Sequence, residues 1–173
     1  MVTLQKAAFS DYESIARLHA ANWRDNYRGI LSENFLDKEV DRYMLKTWRK
    51  KLHEPPAKQY TSIAYRDKKI AGFSCLVTDD DPLFGSMLDN LHVAAEARYQ
   101  GIGKLLMQHC ASLILAHATT PKMYLWVYVQ NKSAVAVYES WGGRQHETLQ
   151  KSTAEGSGAL VHRYTWDDVS ILC

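Results

Sequence analysis

Two glycines between a strand-like run and a helix-like run constrain this chain more than any other feature. Leu88 to Val93 reads as a short strand, while Ile102, Leu105, Leu106, Cys110, Leu113 and Ile114 repeat at helical spacing. Between them lies Arg98-Tyr99-Gln100-Gly101-Ile102-Gly103-Lys104. Glycine lets the backbone turn tightly and leaves neighbouring N–H groups unobstructed. The N–H groups of a helix's first turn have no intrahelical acceptor, and they sit at the positive end of its dipole. Strand, glycine turn and helix in this order make an anion site. Arg98 and Lys104 flank it and add charge, so the expected ligand is a phosphate or a pyrophosphate.

Spacing excludes two familiar phosphate loops. A dinucleotide fingerprint needs Gly or Ala where Leu106 stands, and a P-loop needs Gly at Arg98 and Ser or Thr at Leu105. What remains, R-x-x-G-x-G, resembles the acetyl-CoA pyrophosphate loop of the GCN5-related N-acetyltransferases (GNAT). A glycine turn before a helix is common, so the loop alone leaves an ordinary structural turn open. A second motif lies about thirty residues on, after a predicted strand over Met123 to Val129. There Asn131-Lys132-Ser133-Ala134-Val135-Ala136-Val137-Tyr138-Glu139-Ser140-Trp141-Gly142-Gly143 is similar to the same family's N-x-x-A-x-x-x-Y-E element. Asn131 suits the cap of a short helix. Tyr138, two turns further, shares its face. Gly142 and Gly143 then release the chain.

The remaining pattern predicts a strand over Met1 to Ala7 and a helix from Ser10 or Asp11 with Ile15, Leu18 and Trp23 on one face. A second helix opens at Ser32 and stops at Pro55-Pro56. Strands follow over Gln59 to Arg66 and Lys69 to Thr78, joined by Asp67-Lys68, with Asp79-Asp80-Asp81-Pro82 as an exposed turn. Two last strands fall near Arg144 to Gln150 and Ala159 to Trp166. The order βααβββαβαββ is similar to the family's α+β fold, a mixed, largely antiparallel central sheet flanked by helices. No linker or repeat interrupts it, so residues 1–173 read as a single domain.

Composition narrows the partners. A net charge of +2 with no dense Lys/Arg stripe argues against a nucleic-acid footprint. Cys75, Cys110 and Cys173 are odd in number and lack metal-ligand spacing, which suits reduced residues of a cytoplasmic protein with no metal. No apolar run approaches the roughly eighteen residues that span a bilayer, and the N-terminus lacks a signal-peptide core. No membrane partner is expected.

The resemblance implies acetyl-CoA as cofactor, held by Arg98, Tyr99, Gln100, Gly101, Ile102, Gly103, Lys104 and Asn131. It also implies backbone groups of Leu91 and Val93 bonding the pantetheine arm where two strands splay, with an N–H near Val93 polarising the thioester carbonyl. Tyr138 matches the family's general acid. The family's frequent glutamate falls at Met87, so Asp89, two residues on, becomes the leading base or water-positioning residue. Alternation puts His92 on the opposite face, as a structural residue. Cys75 and Cys110 read as core. Trp23 and Tyr27, one helical turn apart, can wall an acceptor pocket or equally pack the helix end onto the sheet. Tyr124, Trp126 and Tyr128 share a strand face, which either lines the acceptor pocket or covers a helix, the second being the expected use. The activity implied is acetyl transfer by direct attack of a primary amine, on a small molecule or a peptide. A non-catalytic acyl-CoA sensor of the same fold stays open, as do longer acyl groups and a homodimer.

Overall fold

Asp67 and Lys68 both take positive φ, 51° and 64°, the backbone that a two-residue hairpin loop needs. In the computed structural model, which describes residues 1–173, they join strand β2 (Gln59–Arg66) to β3 (Lys69–Asp81). β1 (Val2–Lys6) pairs with β2, and β4 (Gly85–Val93) with β3. β5 (Met123–Tyr128), β6 (Arg144–Ser152) and β7 (Gly158–Trp166) complete a seven-stranded sheet in the order β1-β2-β3-β4-β5-β7-β6. Every neighbouring pair is antiparallel except β4–β5. A parallel pair needs a long crossover, and here it runs through the long helix α3 (Ile102–His117). With α1 (Tyr12–Asn26), α2 (Val40–His53) and α4 (Lys132–Ser140), the order is the one the sequence predicts.

Adjacent residues of β3 show how the helices divide between the two faces. A Cβ at Gly72 would lie 3.1–3.2 Å from Leu106 and Ile102 of α3. The next side chain, Phe73, packs edge-on against Trp48 of α2 and His19 of α1. Successive residues of a strand face opposite ways, so α3 covers one face and the α1–α2 pair the other. Fully buried Ile15, Leu36, Met44 and Trp48 form one core with Phe73, while Met107, Cys110 and Ile114 form another with Leu125 and Tyr164. No helix is long and apolar enough to cross a membrane.

The feature that makes room for a ligand is local. β4 and β5 are bonded only at Ser86↔Met123 and Met87↔Tyr124. On its other edge β4 matches Cys75 to Asn90 but Leu76 to Leu88, so Asp89 is an extra, unpaired residue. Such a bulge bends its strand, and beyond it β4 and β5 part into a wedge.

The structure departs from expectation in two elements and adds a third. The second helix opens with a wide π-helical turn, Phe35–Glu39, where a regular α-helical start is predicted. The acidic run 79–81 is the end of β3 and not a solvated turn. Asp79 accepts from the Thr119 N–H and hydroxyl, both at 2.8 Å; Asp80 accepts from the Tyr124 hydroxyl; Asp81 accepts from the N–H groups of Leu83 and Phe84 at 2.8 and 3.0 Å. A 3-10 turn, Val169–Leu172, also follows β7 and adds Val169 and Leu172 to the core, a segment whose short apolar spacing carries no periodic signal.

Candidate active site

Gly101 opens α3 with φ 79°, and a Cβ placed there would meet nothing within 4 Å. That side of the loop is open to a ligand. The Leu105 N–H to Gly101 carbonyl bond, 2.9 Å, is the first along α3, so the N–H groups just before it have no helical acceptor. Lys104 stands in this first turn. Tyr99 is fully exposed with φ 61°, so it offers backbone to a bound group, and the Gln100 amide turns back to the Glu96 carbonyl at 3.0 Å. Arg98 departs from its expected role as a charge aimed at the anion. Its guanidinium donates to Asn22 Oδ1 at 2.7 Å and to Asp25 Oδ2 at 2.9 Å, which ties the loop to α1.

Asn22 is the residue that the sequence reading missed. It lies seven residues from Ile15, at a core position of α1, and a polar residue on an apolar face is the one signal that marks it. The buried amide donates to the Val93 carbonyl at 3.0 Å while its oxygen holds Arg98. One side chain thus fixes α1, β4 and the glycine loop together. The Ala94 N–H donates to Ala71 in β3 at 2.9 Å. By strand alternation Leu91 and Val93 therefore turn their backbone groups into the wedge. Val93's carbonyl is occupied by Asn22, which leaves its N–H for a ligand.

The wedge is a cavity of about 630 Å³ that runs from the glycine loop, past Leu91, Val93, Asn131 and Tyr138, to Tyr27, Asp89, His92, Trp126 and Tyr128. Asn131 caps α4 as expected, accepting from the Ala134 N–H at 3.3 Å. Tyr138 sits among Trp141, Tyr164 and Trp166, and burial pushes its phenol up to about 12. The residues fit coenzyme A: unbonded amides at a helix N-terminus suit its diphosphate, and a narrow apolar wedge edged by backbone groups suits its extended arm.

At the far end the bulge overturns the assignment of faces on β4. Asp89 bonds Lys51 of α2, and His92 stacks on His19 of α1 with centroids 4.3 Å apart. Both thus lie on the α1–α2 side, because the extra residue resets the alternation between them. Burial pulls the His92 imidazole down to about 4, with Arg98 adding to the effect and Asp89 opposing it. It is therefore neutral at pH 7. Burial alone would lower the Lys51 ammonium, but Asp89, with Cys75 and Tyr43 adding to its effect, offsets this and holds it above the ordinary lysine value.

The aromatic wall also differs from expectation. Tyr27 lines the cavity, edge-to-face with Tyr128 at 4.9 Å, and burial raises its phenol. Trp23 lies behind it, packed on His19, Tyr43 and Phe35, since one helical turn does not bring both rings to the same opening. Trp126 and Tyr128 line the cavity and do not cover a helix; Tyr124 is turned to Asp80. Cys75 and Cys110 are core residues, as the pattern predicts. Burial raises both thiols, Cys110 to about 12.

Residues 15–142 match the Acetyltransferase (GNAT) family. The chain belongs to the GNAT family. Among solved structures, the PaiA N-acetyltransferase from Thermoplasma acidophilum, in complex with coenzyme A, has a TM-score of 0.74 at 16% identity, covering 96% of this chain and 99% of its own. A GCN5-related N-acetyltransferase from Rhodopseudomonas palustris has a TM-score of 0.76 at 16% identity, covering 95% and 94%. The chain is also 24% identical over 177 residues to the uncharacterized N-acetyltransferase YuaI of Bacillus subtilis (strain 168), spanning 99% of this chain and 96% of that protein. It is a GNAT N-acetyltransferase, and its cofactor is acetyl-CoA.

Proposed function

We propose that this enzyme transfers the acetyl group of acetyl-CoA to a primary amine, on a small molecule or a peptide, by direct attack on the thioester. One observation carries the reading: a single wedge joins the glycine-loop anion site to a polar, aromatic chamber, with Tyr138 on its wall and no reactive thiol beside it. A covalent route needs an activated nucleophile with a base next to it. Cys75 and Cys110 are buried with raised thiols, and Cys173 lies outside the wedge.

Acetyl-CoA supplies an activated acetyl group and a thiol leaving group. The backbone N–H groups of residues 99 to 104 bind the diphosphate, while Leu91 and Val93 orient the arm. The Val93 N–H stands where it can stabilise an oxyanion. Tyr138 donates a hydrogen bond from its hydroxyl to the charge growing on the departing sulfur, and the released thiolate takes its proton from solvent. An aliphatic ammonium has pKa near 10, so neutralising it at pH 7 costs about 4 kcal/mol. Asp89, ion-paired with Lys51, orders a water that relays this proton to bulk solvent, and neutral His92, on the same side of β4, accepts a hydrogen bond from that water. Tyr27 shields the chamber.

The experiment is a thiol-release assay of the purified enzyme with acetyl-CoA and a panel of chemically varied amines. Release that depends on both acetyl-CoA and an amine, with an N-acetylated product, is the expected result. Coenzyme A binding with no release across the panel would overturn the reading.

A further inference from the structure

The chamber's electrostatics point to the kind of amine it takes. Lys151 and Ser152, at the end of β6, line the cavity beside Trp126. The Lys151 ammonium lies 3.9 Å from the Trp126 ring centroid, and the Arg163 guanidinium lies 4.3 Å from that ring. Arg163 in turn lies 3.9 Å from the Phe84 ring. Trp126 thus takes part in two cation–π contacts. The first of them places the Lys151 ammonium over the ring.

Charge pairing separates the cations of this neighbourhood. Arg163 Nε lies 2.7 Å from Glu147 Oε1 as an ion pair, although off the line of a hydrogen bond. Lys51 is matched by Asp89, the one carboxylate that lines the cavity. Arg98 is matched by Asp25, and Lys104 stands at the diphosphate end. No carboxylate lies within salt-bridge reach of Lys151. Burial lowers its ammonium and the Arg163 charge adds to that, with Glu147, already paired with Arg163, opposing only in part, so an incoming anion would relieve a local excess of positive charge.

We propose that the acceptor is an amine that also carries a carboxylate, and that Lys151 binds this carboxylate in the chamber. The proposal rests on the acetyl-transfer reading for its amine and on Lys151 for its acid. An amino acid and an acidic peptide share that chemistry; a diamine or polyamine lacks it and would meet the unpaired cation.

The test uses the full chain and matched acceptors: a free amino acid, its carboxamide, the corresponding decarboxylated amine, a short acidic peptide, and a diamine. Thiol release gives kcat/KM for each. The carboxylate acceptors should exceed their carboxamide and decarboxylated partners by about tenfold or more, a difference of about 1.4 kcal/mol. Lys151→Met should lower that ratio about tenfold, chiefly through KM, and Lys151→Glu should reverse it towards the diamine. The free amino acid and the peptide decide between the two sources. A preference for the diamine in the unaltered enzyme, or a ratio unchanged in Lys151→Met, would overturn the proposal. A second readout needs no turnover: calorimetric titration of an N-acetyl amino acid into the enzyme loaded with coenzyme A. Binding that weakens about tenfold in Lys151→Met supports the anion site, and equal binding refutes it. If no acceptor releases thiol, acetyl transfer fails as a reading while this titration still decides the site.

Discussion

Replacing Tyr138 with phenylalanine removes one oxygen from the wall of the wedge, and the structure sets how much that should matter. The phenol is pushed up to about 12, whereas a cysteine thiol, taken as the acidic limit for the leaving thiol, has pKa near 8.5. Complete transfer of the proton to a thiolate would therefore be uphill by roughly 3.5 pH units, or about 5 kcal/mol. The hydroxyl serves better as a hydrogen-bond donor to charge growing on sulfur. A hydrogen bond to a charged group contributes about 1.5–3 kcal/mol, so kcat should fall roughly ten- to a hundredfold. This is below the range of about a hundred- to ten-thousandfold usual for a full general acid. Steady-state thiol release at saturating acetyl-CoA gives kcat, and calorimetry should find coenzyme A affinity unchanged within about twofold. A phenol titrating near 12 stays protonated from pH 7 to 10, so no basic limb in that range should belong to it. Equal turnover in Tyr138→Phe would refute the donor role. A basic limb near pH 9 that vanishes in the variant would refute the argument from burial.

Other consequences follow from burial. Below pH 6.5 the unfolded chain gains a proton on His92 that the folded protein refuses until about pH 4, so stability falls as pH drops through that window. The loss approaches about 3 kcal/mol at pH 4 and is about 2 kcal/mol at pH 5. Urea midpoints at pH 7 and pH 5 should show a larger drop for the unaltered chain than for His92→Asn; equal drops contradict the assignment. A thiol reagent at pH 8 should label Cys173 alone in the native protein and all three cysteines in denaturant. Rapid labelling of Cys110 would contradict its raised thiol.

The anion loop, the hairpin at Asp67 and Lys68 and the cap at Asn131 are legible in the sequence because each depends on local backbone chemistry. Glycine at Gly101 meets a positive φ, and an asparagine caps the helix that follows it. Features that depend on tertiary context are not legible in this way. Nothing local marks the bulge at Asp89, so alternation alone misplaces His92 relative to it. Arg98 reads as a phosphate ligand until Asn22 and Asp25, more than seventy residues earlier, are found beside it. Trp23 and Tyr27 share a helix face, yet only the second reaches the opening. Lys151 sits in an unremarkable polar strand, and it acquires meaning only because Trp126 lies beneath its ammonium.

Cofactor binding depends on backbone amides of the glycine loop gripping a diphosphate. Titration calorimetry of coenzyme A into the enzyme and into Gly101→Val examines this most directly, since φ 79° at that position disfavours any β-branched side chain. The unaltered protein should bind coenzyme A below millimolar concentration, and the variant should bind at least about tenfold more weakly, as expected for loss of one charge-assisted bond of about 1.5–3 kcal/mol. No heat with the unaltered protein at millimolar coenzyme A, or equal affinity in the variant, would contradict it.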